Sequence, residues 1–556
     1  MKIKDQKRIR EIEKQIDEAI LNLPIYNINR DRALRLVASI YESFEMSLGL
    51  TIFLSNDNPN VISDAQKKSQ TMIYALSTAV EHLMRKCPTT DGEVMSAQPI
   101  IDSCIELLDK ANMYRYVEEN FKGIRPGILV PTLIEDTSDN IVIDFQPADE
   151  KIDKYEIINQ LLIEENSKLF RDRMNIIQNV LLKRYPKLTT KKLTESFYSQ
   201  LAKCQVDLLF NFPNELHLAG YKVSEIKQVW FQLLYKAYIK GHENRNRCWP
   251  ILYRDGELLE EQLPDLLFIS TEEFSYMKRD VVESLLDDLT YGNMKGSQRF
   301  GSLITEPIIK LTDGSRFVSP TFVVHNLAGR NVNATLNRIY AGRVNKDTVV
   351  KEEFYVQEIE AIMKLFPTLK GGGPTQLPGS LPDVDYSIYD PKSMTLLALE
   401  MKWITEPVTA QEIVSRDEDL AKGLHQQLNG YETGITADLD LFMKNSFGQN
   451  YPVQHIDYLV LTKVSIGSGK IHNDTNQIIN VRMLKKALYD ADENLYKAIE
   501  FIKSGRYLPQ ENVHYKKILN EYSFAGVNFI THGKQVLEPF SLQTPDDFET
   551  FPGKII

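Results

Sequence analysis

The sequence predicts a multidomain protein in which a mainly α-helical N-terminal region precedes an α/β domain. Three observations predict it. The chain has 556 residues, more than a single hydrophobic core holds, so several domains of roughly 100–200 residues each are expected. Apolar residues recur at helical spacing through most of the first half. From about residue 350 onward the order becomes helix, strand, strand, helix, strand, the pattern of an α/β domain. The expected boundaries are a helical region over 1–290, a β-hairpin connector over 291–345 and the α/β domain over 346–556.

In "KDQKRIREIEKQIDEAILNL" the residues Ile9, Ile12, Ile16, Ala19 and Leu23 lie at heptad-like spacing. Two heptads suit an amphipathic helix on its own core, with a dimerisation helix as the alternative. Such a helix is the expected route to a homo-oligomer or a partner protein. Further helical patterns cover Arg32–Leu54, Ser63–Lys86, Gln98–Phe121, Lys154–Tyr185 and Thr190–Phe210. They are interrupted at Gly127–Phe145, where two apolar runs flank "EDTSDN" as a hairpin would. A second hairpin is expected in Glu306–Val324, around Asp313-Gly314. In Lys351–Pro367 the residues Phe354, Ile359, Ile362, Met363 and Phe366 share a helical face. After the loop "KGGGPTQLPGSLP" come two short strands, a long helical run from Val408 to about Phe442, and two apolar runs, "DYLVLTKV" and "GVNFITHG", that read as buried strands.

Composition narrows the function classes. With 43% hydrophobic and 25% charged residues the chain is an ordinary globular protein. Its apolar runs fall short of the ~20 residues a membrane helix needs. The charged N-terminus resembles neither a signal nor a transit peptide, so a soluble, cytoplasmic protein is expected, with no membrane partner. The four cysteines show no CxxC spacing and the nine histidines no HExxH. That argues for free thiols and against a zinc hydrolase. A net charge of −11 counts against a wholly basic, phosphate-binding surface but leaves room for a local basic groove.

The stretch "LPDVDYSIYDPKSMTLLALEMKW", Leu381 to Trp403, carries charges where core strands carry apolar residues. Asp390-Pro391 initiates a turn, so Asp385–Tyr389 and Leu396–Trp403 are expected to pair as an antiparallel hairpin. Side chains alternate along a strand. Asp383 and Asp385 therefore share one face, as do Glu400 and Lys402, and an aspartate, a glutamate and a lysine converge at one end of the sheet. Adjacent buried carboxylates repel. A hard divalent cation such as Mg²⁺ resolves that repulsion and needs only one or two carboxylates besides water and substrate phosphate. A nearby lysine then serves charge stabilisation. The arrangement suits metal-assisted phosphodiester hydrolysis.

These residues resemble the PD-(D/E)XK nuclease superfamily, and the layout is most similar to its NERD-like and RecB-like branches. The resemblance rests on Asp385, or alternatively Asp383 after Pro382, and on Glu400-Met401-Lys402. It covers about Lys351–Tyr431. It implies a restriction-endonuclease-like domain with a mixed central sheet flanked by helices. Asp385, Glu400 and the carbonyl of Met401 would hold Mg²⁺, with Mn²⁺ as substitute, and Lys402 would position or activate water. Gln427 and Tyr431 match a QxxxY element that supports the site, and Glu358 is the candidate for a glutamate on the preceding helix. The implied activity is a DNA endonuclease, DNA being favoured over RNA, and the implied role is that of a bacterial anti-phage effector. A catalytically inactive binding or scaffold protein of the same fold is the alternative.

Other signals are weaker. "SIGSGKIHND" lacks the pattern of a phosphate loop, because Val464 stands where the first glycine belongs and Ile471 follows Lys470. "GHENRNRCWP" reads as a structural loop, His425 as a solvated helix residue, and Arg416 and Lys422 as candidates for phosphate contact.

Overall fold

The computed structural model describes all residues except 1–2, 56–58, 91, 94–95, 138–139, 186–190, 211, 253–259, 293–301, 341–347, 405–409, 472–476, 538–541, 543 and 545–556. The chain divides into two compact units. The first comprises Met1–Glu118, Phe170–Asp347 and Ser523–Val527, and the second Glu119–Leu169, Thr348–Tyr522 and Asn528–Ile556. Among the described residues no helix is long and apolar enough to cross a membrane.

The first unit is built mainly from helices. Ile9, Ile12 and Ile16 of the helix Ile3–Ala19 are buried within the chain, as is Leu23 beyond it. The apolar stripe that would also suit a dimerisation helix thus covers this chain's own core. Asn29 starts the next helix, Arg30–Leu54, by accepting the N–H groups of Asp31 and Arg32. The expected hairpin around Asp313-Gly314 is present but short. Ile309–Lys310 pairs with Arg316–Val318, and Leu267–Ile269 joins on the far side. The apolar run then turns helical as Pro320–His325, because Ser319 caps it through Phe322 N and Pro320 occupies its first turn. The segment expected to be a connector therefore carries helices and belongs to the first unit. "GHENRNRCWP", expected to be a loop, lies inside the helix Val223–Leu252. Gly241 alone costs a helix only about 1 kcal/mol, and Pro250 falls in its last turn.

In the second unit the strands are numbered along the chain, the tips Ser523–Phe524 and Val527 of the last two being assigned to the first unit. They are β1 Leu129–Asp136, β2 Ile141–Pro147, β3 Lys370–Gly372, β4 Tyr386–Asp390, β5 Thr395–Lys402, β6 His455–Thr462, β7 Ile478–Asn480, β8 Tyr515–Phe524 and β9 Val527–Val536. A central five-stranded sheet runs β7-β6-β5-β4-β3. β5 is antiparallel to β4 and parallel to β6, so the sheet is mixed. Helix α1, Thr348–Met363, precedes it. Helices α2, Ala410–Lys422, and α3, Leu428–Ala437, lie in the crossover from β5 to β6. Residues Thr395–Glu400 are all buried. Strands covered by helices on both faces read as continuous apolar runs rather than alternating ones. The cover comes from Tyr355 and Ile359 of α1, Leu420, Leu428 and Tyr431 of α2 and α3, and Leu484 and Ile499 further on.

The second sheet runs β1-β2-β9-β8. Its β1–β2 hairpin falls where the sequence indicates, but it joins the second unit rather than the helical region. The reason is that β9 pairs in parallel with β2. "GVNFITHG" accordingly lies outside the central sheet and is only half buried, with Val527 and Phe529 inside and Asn528 exposed.

Candidate active site

The β4–β5 hairpin sets the geometry. Asp390 closes its turn by accepting Lys392 N (2.8 Å) and Ser393 Oγ (2.6 Å), an aspartate-type turn written into the local sequence. The register then runs from Thr395 opposite Asp390 to Leu399 opposite Tyr386. One further step sets Glu400 opposite Asp385, on the same face of the sheet. Asp385 Oδ2 accepts the main-chain N–H of Met401 at 2.6 Å. In such a ladder a residue's N–H and C=O leave the strand on the same side, so the Met401 carbonyl also exits toward Asp385.

Glu400 is 3% exposed and holds two partners. Lys402 Nζ lies 2.6 Å from Oε1, and the Tyr431 hydroxyl donates to Oε2. That hydroxyl also lies 2.8 Å from the Asp383 carbonyl, so α3 is tied to both the strand and the loop ahead of β4. Burial pushes the Asp385 carboxyl up to about 7, and the Glu400 charge adds to the rise. The Met401 N–H and Lys402 oppose it. Burial foremost, then the nearby carboxylates, raises the Tyr431 hydroxyl, which stays a neutral donor. Replacing Tyr431 by Phe keeps the buried ring but leaves Glu400 Oε2 without its donor. The expected loss is about 1–3 kcal/mol of stability, measurable as a lower urea midpoint with an unchanged slope.

Asp385, Glu400, Lys402 and Tyr431 thus converge. Asp383 does not join them through its side chain, which is exposed, and contributes its carbonyl. The side chain of Gln427 lies outside the described residues. Its backbone belongs to a π-turn, Gly423–Gln427, between α2 and α3. A side chain at Gly423 would press on Val460 Cγ2 (3.3 Å) and Lys402 Cε (3.4 Å), so the turn lies directly on the lysine. Gly430 lies inside α3, where a Cβ would come within 2.9 Å of Pro382 Cδ. Its missing side chain admits the loop that leads to Asp385.

On α1 the expected Glu358 is engaged elsewhere, 3.1 Å from Lys463 Nζ. Lys463 also lies 4.4 Å from the centre of the Trp403 ring and 5.1 Å from that of Phe354. The glutamate of α1 that feels the site is Glu352. Burial raises its carboxyl, Glu400 raises it further, and Lys402 opposes. Sequence reading missed Glu352 and Lys463. The only signal for Lys463 is its position just past an apolar strand, and that becomes informative once Lys402 is known to lie opposite Thr462. His425 is exposed, as expected. Arg416 and Lys422 both lie 3.9 Å from Asp419.

The "SIGSGK" loop is structural. Asp417 accepts Ser468 N at 2.9 Å and Ser468 Oγ at 2.5 Å. Asn159 accepts Ile466 N and donates to the Gly467 carbonyl. The loop's donors are thus spent on the protein itself.

Among the described residues no group of three or more His, Cys, Asp or Glu side chains is arranged to hold a metal ion. Asp385 and Glu400 are a pair, and main-chain carbonyl, water and phosphate oxygens would have to complete a shell around a hard cation. Compared with known protein families, with curated proteins and with solved structures, the chain matches none.

Proposed function

We propose that the second unit is a Mg²⁺-dependent nuclease site of the PD-(D/E)XK type, acting on DNA in preference to RNA. The observation that carries the proposal is the convergence of Asp385, Glu400 and Lys402 at one end of a mixed sheet, where burial and the Glu400 charge raise the Asp385 carboxyl and one lysine faces two carboxylates. A divalent cation fits that deficit, and Asp385, Glu400 and the Met401 carbonyl are the residues that would hold it. Bound there, Mg²⁺ would polarise a scissile phosphate and make a water more acidic. The chain's own residues supply the rest. Asp385 and Glu400 fix the site on two hydrogen-bonded strands, a rigid base for chemistry. Lys402 lies where its ammonium can leave Glu400 and meet charge developing on the phosphate. Tyr431 orients Glu400. A role in defence against phage is an extension of this reading from the family resemblance.

The direct ion pair between Lys402 and Glu400 also suits a second reading, in which the same fold binds a partner without catalysis. The experiment is cleavage of supercoiled plasmid and linear DNA by the purified chain with Mg²⁺ or Mn²⁺, beside Glu400→Ala. Metal-dependent cleavage lost in the variant supports the nuclease. Equal products from both proteins remove the site, and no cleavage by either favours the binding reading.

A further inference from the structure

We infer that Gly430 and Gly434 of α3 are positioning residues for the proposed metal site: they seat the loop 376–383 directly on the helix, and that seat sets Asp385 and the Asp383 carbonyl relative to Glu400. The inference rests on the nuclease reading for the metal alone, since the seat itself is a matter of packing. Glycine weakens a helix interior relative to alanine, yet α3 carries two of them. They stand four residues apart and so share one side of the helix, and Tyr431 lies three residues before Gly434 on that side. The loop packs on this side. A Cβ at Gly430 would come within 2.9 Å of Pro382 Cδ and 3.0 Å of its Cγ. One at Gly434 would meet Leu377 Cδ1 at 2.7 Å and Leu381 Cδ1 at 3.0 Å.

The neck of the loop passes this placement on to the site. Thr375 and Val384 exchange both main-chain hydrogen bonds, each at 2.9 Å, so the loop closes one residue before Asp385. Thr375 Oγ1 also lies 2.7 Å from Ser446 Oγ, and Leu377 and Val384 are buried. At the tip Gly379 has a φ of 73°, which lets the chain double back. The returning limb runs Leu381-Pro382-Asp383, and the Tyr431 hydroxyl lies 2.8 Å from the Asp383 carbonyl. The same hydroxyl donates to Glu400 Oε2. One side chain of α3 thus spans the loop and the buried carboxylate, and the span depends on how closely the loop lies on the helix.

Distances decide how much a methyl group would matter. Carbon atoms in contact lie about 3.5–4.0 Å apart, so a Cβ at Gly430 would push α3 and Pro382 apart by roughly 0.6 Å or more. A leucine tip can rotate out of the way, but the proline ring is closed onto the main chain and takes the backbone with it. Functional groups must stay within about 0.5 Å of their working positions. Pro382 stands next to Asp383 and three residues before Asp385, whose Oδ2 accepts Met401 N at 2.6 Å. Gly430→Ala therefore moves the loop by more than the site tolerates. Gly434→Ala, which meets leucine tips, is the milder change.

The test is amide hydrogen exchange at Met401 in the full, metal-free chain, beside Mn²⁺ titration calorimetry. Gly430→Ala is expected to speed that exchange about tenfold or more and to weaken Mn²⁺ binding about tenfold or more. In a Pro382→Ala background, which lacks Cγ and Cδ, the same change should do little, because the cycle isolates the contact. Gly434→Ala should move both readings the same way by less. A helix glycine with no such role would behave in reverse, since alanine strengthens the helix and exchange would slow. Unchanged or slower exchange in both glycine variants, an equal effect of Gly430→Ala with and without Pro382, or faster exchange with Mn²⁺ affinity intact each overturns the inference. A wild-type chain that binds no Mn²⁺ would remove the metal reading instead, and exchange at Met401 would still decide the seat.

Discussion

Lys402→Ala is expected to slow Mg²⁺-dependent DNA cleavage about a hundredfold or more while leaving divalent-metal binding in place. The argument turns on what the lysine does before and during reaction. Its ammonium lies 2.6 Å from Glu400 Oε1, so in the free protein it neutralises a carboxylate that is almost fully buried. A divalent cation held by the same carboxylate takes over that task. Removing the lysine removes a competing cation, and metal affinity should hold or rise. Cleavage should fall all the same, because among the described residues Lys402 is the cation that contacts Glu400. Lys463, one residue beyond the Thr462 that lies opposite Lys402 on β6, is committed to Glu358 and to the Trp403 ring. Single-turnover rates beside Mn²⁺ titration calorimetry separate the two effects. If Lys402 were only the closing half of a salt bridge, the variant would lose stability but keep its rate.

How the site was legible follows from which interactions are local. Asp385, Glu400 and Lys402 were readable because a turn of a few residues sets their register, and Asp390 writes that turn with its own side chain. The choice between Asp383 and Asp385 stays open in the sequence, since both share a face and only the strand's start separates them. Which acid of α1 feels the site was not legible because α1 is apolar nearly all round. Tyr355, Ile359 and Met363 are buried, while Phe354 is half buried beside Trp403, so periodicity could not say which acid looks inward. The π-turn was invisible because it depends on how closely Gly423 packs on Val460 and Lys402. Hardest to foresee was the composition of the second unit. Asn528 and Asn140 bond at 2.8 Å across 388 residues of chain, and no local pattern announces a parallel pairing over that span.

Asp385→Asn is expected to abolish the pH dependence of metal binding, and Asp383→Asn to leave it intact. Burial and the Glu400 charge raise the Asp385 carboxyl to about 7, so in the metal-free protein it still holds its proton at mildly acidic pH. A bound cation requires that proton to leave. Apparent affinity for Mn²⁺ should therefore fall as pH drops below about 7, approaching about tenfold per unit for one displaced proton. Stability without metal runs in the opposite sense. A carboxyl with a raised folded-state pKa favours the folded state most below its unfolded value near 4, and that contribution is lost as pH rises through about 7. The metal-free protein should thus lose thermal stability between about pH 4 and 7, and excess Mg²⁺ should restore it at the upper end. Asp385→Asn carries no titrating proton, so both slopes should flatten and the Mg²⁺ shift should vanish. Asp383 is exposed and touches the site through its carbonyl alone, which asparagine retains. Thermal melts of the three proteins with and without Mg²⁺ read all of this. A flattened profile in Asp383→Asn, with Asp385→Asn unchanged, would move the ligand to the loop and make Asp385 a structural acceptor for Met401 N.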